Sequence, residues 1–247
     1  IISAGTLQIG SGDAQGAVTG DITNNGKLIF GRADDYDLAS SISGTGGLEQ
    51  AGNGILTLSG NNTFSGDITL SAGTVSIGSE TNLGQTASNL DFNGGTLQIT
   101  GTAYKSTSRK INWGNGGGGF DVADADNTFS INADLGAGGA LSKSGAGTLI
   151  LAGSNSYSGG TTIQGGTLSV AKDENLGNLS GNITLQGGTL SVSDNFKTNR
   201  TVTLTNLGGA IEILKDKTGT FSNTIGGSGS LTKTGEGTLI LTAQNNY

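Results

Sequence analysis

The chain has no cysteine, proline, methionine or histidine, one tryptophan, and only 5% aromatic and 13% charged residues. Each absence excludes something. Without cysteine no disulfide staples the fold. Without histidine and cysteine, neither a Ser-His-Asp nor a Cys-His catalytic set can be assembled, nor a zinc, haem or iron–sulfur site with those ligands. Twelve basic against nineteen acidic residues give a net charge of −7 and a pI near 4.4. No basic stripe offsets them, so nucleic acid is not an expected partner. No run approaches the ~18 apolar residues of a membrane-crossing helix, and the opening IISAGTLQIGSG lacks the charged start and apolar stretch of a signal peptide.

Glycine is abundant instead: 47 of 247 residues. The glycines have no three-residue period, which with the lack of proline excludes collagen. They belong to a longer repeat. Leu48–Ile99 aligns without gaps on Leu141–Val192, 21 of 52 positions being identical. Leu141–Tyr157 aligns again on Leu231–Tyr247 with 10 of 17 identical. Within this repeat of about 90 residues, Gly-x-apolar-x-apolar recurs at steps of 19 to 28 residues, from Gly5 to Gly237. The segments that follow (GTLQI, GTVSI, GTLSV, GTLIL) alternate Thr or Ser with Leu, Ile or Val at the period of a strand. Gly, Asn, Asp and Ser separate them.

One such coil buries too few aliphatic side chains to be stable alone. Stacked coils, ~4.8 Å apart, hydrogen-bond to neighbours above and below and merge their apolar residues into one column. The expected fold is therefore all-β: a right-handed parallel β-helix of about 11 coils of roughly 19–28 residues. It forms one segment over 1–247, with repeat copies near 38–127, 128–220 and 221–247. Handedness follows from the general chirality of parallel crossovers. Glycine supplies the corners through positive φ, and asparagine can stack in hydrogen-bonded ladders. The recurring positions Gly52, Gly54 and Asn62, Gly145, Gly147 and Asn155, and Gly235, Gly237 and Asn245 are the structural signature of the three copies. Proline's absence suits strands in which every N–H is needed.

The pattern Leu141-x-Lys143-x-Gly145-x-Gly147-Thr148-Leu149-x-Leu151-x-Gly153-x-Asn155-x-Tyr157-x-Gly159-x-Thr161 resembles the passenger-associated transport repeat of bacterial autotransporters. It recurs from Leu48 and Leu231, and Arg109-x-Ile111 and Arg200-x-Val202 resemble the segment that precedes it. The resemblance implies an exported passenger, at the cell surface or secreted, carried through the periplasm and across the outer membrane by a C-terminal barrel outside this sequence. On this reading the sequence is a fragment. It also implies partners at host-cell or matrix surfaces, among glycans, or in other passengers through self-association, and no small-molecule cofactor.

Several residues invite sharper readings. Asp121, Asp124 and Asp126 follow a GGGGFD run that matches the start of a calcium-binding nonapeptide. Spaced carboxylates are hard ligands suited to Ca²⁺, but that motif works in tandem and here occurs once, so a solvated loop is the preferred reading. The same acids with Trp113, Lys105, Arg109 and Lys110 mark where a polysaccharide lyase or glycosidase site would lie. This is the alternative function, against which Trp113 is expected simply to pack a coil. Lys143 and Lys233 are read as solvated turn residues. Phe64, Tyr157 and Tyr247 are read as covering the apolar ends of coils.

Overall fold

The computed structural model describes all 247 residues as a parallel β-solenoid of about 11 turns. All strand pairs are parallel, and each strand's partner lies roughly one coil further along the chain. The two helical elements are single 3-10 turns, Glu80–Leu83 and Asp173–Leu176, and no helix is long and apolar enough to cross a membrane.

Three faces run along the rod. The second is one unbroken ten-stranded sheet. The first is a six-stranded sheet from Thr6–Ile9 to Ile111–Trp113, resuming as a three-stranded sheet at Phe196–Thr198. The third begins with two strands, Ile22–Thr23 and Ile42–Ser43, and resumes as a seven-stranded sheet at Ser106–Thr107. The gaps are filled by irregular chain that continues the stacking. On the third face Thr63 N–H donates to the Ile42 carbonyl (2.8 Å) and Gln85 N–H to the Phe64 carbonyl (2.9 Å). On the first, Ser156 N–H donates to Leu135 (2.9 Å) and Asn178 N–H to Tyr157 (2.8 Å).

Alternation turns one side of each strand inward, and strict register aligns these side chains into columns. Leu56, Val75, Leu97, Phe120, Lys143, Ile163, Leu185 and Leu204 form one such column on the second face. A single cluster of 47 buried apolar residues extends from Ile2 to Ile225. The core is therefore continuous, and each coil depends on its neighbours for burial.

The repeat does not contain a whole number of coils. The strand Gly47–Gln50, which opens the first copy, is on the first face; Leu141–Ser144 is on the second; Leu231–Thr234 is on the third. Four rungs above Ile55–Leu58, the strand that follows Gly47–Gln50, the ten-stranded sheet reaches Leu141–Ser144. Four rungs above Thr148–Leu151 the seven-stranded sheet reaches Leu231–Thr234. Each copy thus spans four turns and one face, and successive copies are rotated by one third of a turn.

Close stacking explains more of the glycines than conformational freedom does. Gly145 and Gly235 have positive φ (74° and 72°), as expected of corners. Gly52, Gly54, Gly147 and Gly237 do not. A β-carbon at Gly54 would collide with the Asp34 carbonyl of the coil below, and one at Gly147 with that of Asp124.

Candidate functional site

At one equivalent position in each repeat an inward column carries a long polar side chain. Gln50 lies between Phe30 and Leu70 in register, Lys143 between Phe120 and Ile163, and Lys233 beside Ile211. Gln50 Nε2 donates to the carbonyls of Gly52 and Gly54, both at 2.9 Å. Lys143 Nζ donates to Ser144 (2.6 Å), Gly145 (3.0 Å) and Gly165 (3.2 Å). Most of these carbonyls belong to the tight Gly-x-Gly corners, with Gly165 on the coil above, and the side chains give them an inward-facing donor; the Gly54 carbonyl also accepts Thr74 N–H (3.2 Å). The reading of Lys143 as a solvated turn residue is corrected: it has no exposed surface. The period-two pattern puts it inward, and the corner carbonyls stabilise its ammonium there. Burial lowers its pKa to about 8, against the opposing attraction of Asp121. Lys233 makes the same local bonds, to Thr234 (3.0 Å) and Gly235 (2.6 Å), but is exposed on the last coil.

Where a face loses its sheet, asparagine side chains take over the ladder. Asn62 accepts from Ile42 N–H (2.7 Å) on the coil below and donates to the Asn82 carbonyl (2.6 Å) above. Asn155 does the same between Leu135 (2.7 Å) and Asn175 (2.5 Å). Asn245 accepts from Ile225 N–H (2.8 Å). Asn82 and Asn175 in turn close the 3-10 turns, accepting from Ser79 and Lys172 N–H (both 2.9 Å) and donating to the Gly60 (3.0 Å) and Gly153 (2.9 Å) carbonyls.

A buried arginine from the following coil holds each 3-10 turn. Arg109, 1% exposed, donates Nε–H to Glu80 (2.5 Å), Nη1 to the Gln85 (2.6 Å) and Ser88 (3.1 Å) carbonyls, and Nη2 to that of Gly84 (3.0 Å). Arg200 donates to Asp173 Oδ1 (2.9 Å) and to the carbonyls of Asn178 (2.6 Å), Gly181 (2.7 Å), Gly177 (2.7 Å) and Asp173 (3.1 Å). All five guanidinium N–H groups of Arg200 are used. Tyr104 adds a hydrogen bond to Glu80, and burial followed by that contact pushes its phenol pKa up. The sequence offered a signal for this clasp in the recurrence of Arg-x-apolar, but not its role.

The acids of the alternative reading are not gathered into a site. Asp121 faces outward on Gly118–Val122 and accepts from Gln98 (3.2 Å). Asp124 caps its own turn through Asp126 N–H (2.9 Å). No three acidic groups are arranged to hold a metal ion. Arg109 is committed to the clasp, and Trp113 is buried against Phe92 and Phe120, its indole N–H donating to the Gly139 carbonyl (3.2 Å). Phe64 and Tyr157 are fully buried inside the interrupted faces, while Tyr247 is half exposed. The cavity beside the glycine run, about 240 Å³, is lined by Gly94, Gly116, Gly118, Ser142, Thr162 and Gln164 among others, with no ionisable group.

The family described as passenger-associated-transport-repeat matches residues 48–77, 141–170 and 231–247. These segments open on the three strands that carry Gln50, Lys143 and Lys233. The adhesin BmaC autotransporter of Brucella suis biovar 1 (strain 1330) is 31% identical over 260 residues, covering 98% of this chain and 7% of that protein. The chain thus spans only a small part of the relative's length. No solved structure matches. Passengers of this class reach the cell surface or the medium across the outer membrane. Three stacked repeats on a parallel β-helix, together with these matches, place the chain among autotransporter passenger domains carrying passenger-associated transport repeats.

Proposed function

We propose that this segment is an elongated, non-catalytic scaffold in an exported adhesin. It supports its own translocation and folding and presents adhesive or self-associating surface away from the membrane. The observation that carries the reading is the continuous core built from nearest-neighbour coils. Such a chain gains stability one coil at a time, each finished edge templating the next, so folding beyond the membrane opposes backsliding without a nucleotide-driven motor. The adhesin named above supports the adhesive part. Partners of this surface are host-cell or matrix components, glycans or further passengers, engaged through many weak contacts whose avidity grows with copy number.

Deleting the segment from its parent protein and displaying it on a non-clumping cell tests both halves. The reading expects reduced export on deletion, and clumping or matrix binding on display. Normal export together with inert display overturns it. Release of reducing or unsaturated sugar from a glycan panel would favour the polysaccharide-cleaving alternative.

A further inference from the structure

The rod is acidic as a whole, yet the upper half of its second face is uncharged. From Leu141 onward the outward positions of that sheet are Ser142, Thr162, Thr184, Thr203 and Gly226, in strict register. The one ionisable side chain in these strands, Lys143, points into the core. Lys172, Asp173, Glu174, Asp194, Lys197 and Lys215 of the same coils lie on or beside the first face.

The glycine-floored cavity opens at the lower end of this strip. Gly94, Gly116 and Gly118 leave backbone bare, the exposed Ala140 adds a methyl group, and Ser142, Thr162 and Gln164 supply hydroxyl and amide groups. Its volume, about 240 Å³, lies below the ~300 Å³ at which drug-sized sites begin, which limits any occupant to about one ring. Above it one hydroxyl-bearing rung follows another every ~4.8 Å, comparable to the advance per unit of a linear sugar chain.

The geometry points to a binding site for a neutral glycan, one sugar ring seated in the cavity and the following units lying along the Ser142–Thr162–Thr184–Thr203 row. Three features select this ligand. Hydroxyls and a carboxamide can both donate and accept, matching sugar hydroxyls. The bare glycine backbone and the Ala140 methyl admit the apolar face of a ring. An anionic polysaccharide finds no cation on the strip and is repelled by the net charge of −7. No aromatic side chain is exposed there, so single-site affinity is low and useful binding comes from multiple copies. The inference rests on the display reading above and names one of its partner classes.

The test uses the 247-residue chain with chitotriose and cellotriose as neutral probes and a heparin fragment as the anionic one, followed by amide chemical-shift mapping. A neutral probe is expected to shift Gly94, Gly116, Gly118, Thr162 and Gln164. Thr162→Val combined with Gln164→Ala, both at solvent-accessible positions, is expected to weaken binding about tenfold at unchanged melting temperature. No shifts with either neutral probe, shifts elsewhere, or binding of heparin alone overturns the inference. Export and clumping of the unaltered segment separate the two claims: if it clumps or is needed for export but binds neither neutral probe, only the glycan site falls. If sugar binds but the displayed chain is inert and export is independent of the segment, the display reading falls.

Discussion

Gln50 and Lys143 occupy the same position in consecutive repeats and both point into the core, yet they do so from different faces of the rod. Each donates to the two glycine-corner carbonyls beside it or their neighbours. A neutral amide and an ammonium thus do one job, supplying a side-chain donor to carbonyls that a tight corner turns inward. They differ in the cost of burial.

That difference sets a pH dependence. Lys143 has a pKa of about 8 in the folded chain against 10.5 unfolded. Below pH 8 both states hold the proton, and the folded state bears the full cost of the buried charge. Between about 8 and 10.5 the unfolded chain binds more protons, so stability from this group rises with pH. The whole effect is at most about 3 kcal/mol. Lys143→Gln places in the second repeat the amide that the first repeat already carries as Gln50. It is expected to raise stability at pH 7 and to abolish the alkaline gain. Urea denaturation of both proteins from pH 6.5 to 10 checks this; parallel curves would contradict it.

The arginine clasps predict a local effect. Arg109→Ala leaves Glu80 and three carbonyls without their partner, and Arg200→Ala leaves Asp173 and four. Loss of one member of a buried pair costs about 3–5 kcal/mol. Lysine, lacking the planar fork, should restore only part of it. Hydrogen exchange is expected to accelerate at residues 84–89 in the first variant and 177–182 in the second, before the distant strands are affected.

Asn155→Ala removes a side chain that joins the coil below to the coil above where the first face has no strand. Two buried hydrogen bonds go with it, leaving Leu135 N–H and the Asn175 carbonyl unmet, at about 1–3 kcal/mol for each stranded group. Asn155→Asp keeps the acceptor but not the donor and should fall between wild type and Ala. Equal losses in both variants, measured by thermal unfolding, would show that the donated bond contributes nothing.

Among the glycines, Gly147→Ala is expected to destabilise strongly, because the new methyl meets the Asp124 and Asn127 carbonyls of the turn below and the buried Val122 side chain. Gly136→Ala is the control: nothing lies within 4 Å of its β-carbon and its φ is ordinary. That substitution should be neutral or slightly stabilising, by up to about 1 kcal/mol. Comparable melting temperatures for the two variants would refute the stacking explanation.

The linear pattern by itself determined much of this protein. Short alternating segments at 19–28-residue steps dictate strands, and a coil with so few aliphatic residues must stack to bury them, which leads to the parallel solenoid and its single core. The three-fold recurrence of Leu48, Leu141 and Leu231 marks the repeats and points to the transport-repeat family. What only the tertiary structure decided is which way the copies face. A repeat of about 90 residues is four turns and one face, a remainder invisible until coils are laid in register, so Gln50, Lys143 and Lys233 come to lie on three different sides. Tertiary structure likewise decided the fate of the ions. Lys143 reads as a solvated turn residue and Arg109 as a basic group of the alternative cleavage site, but carbonyls of corners and turns, several of them distant in sequence, converge on them and make the interior the place where their hydrogen bonds are complete.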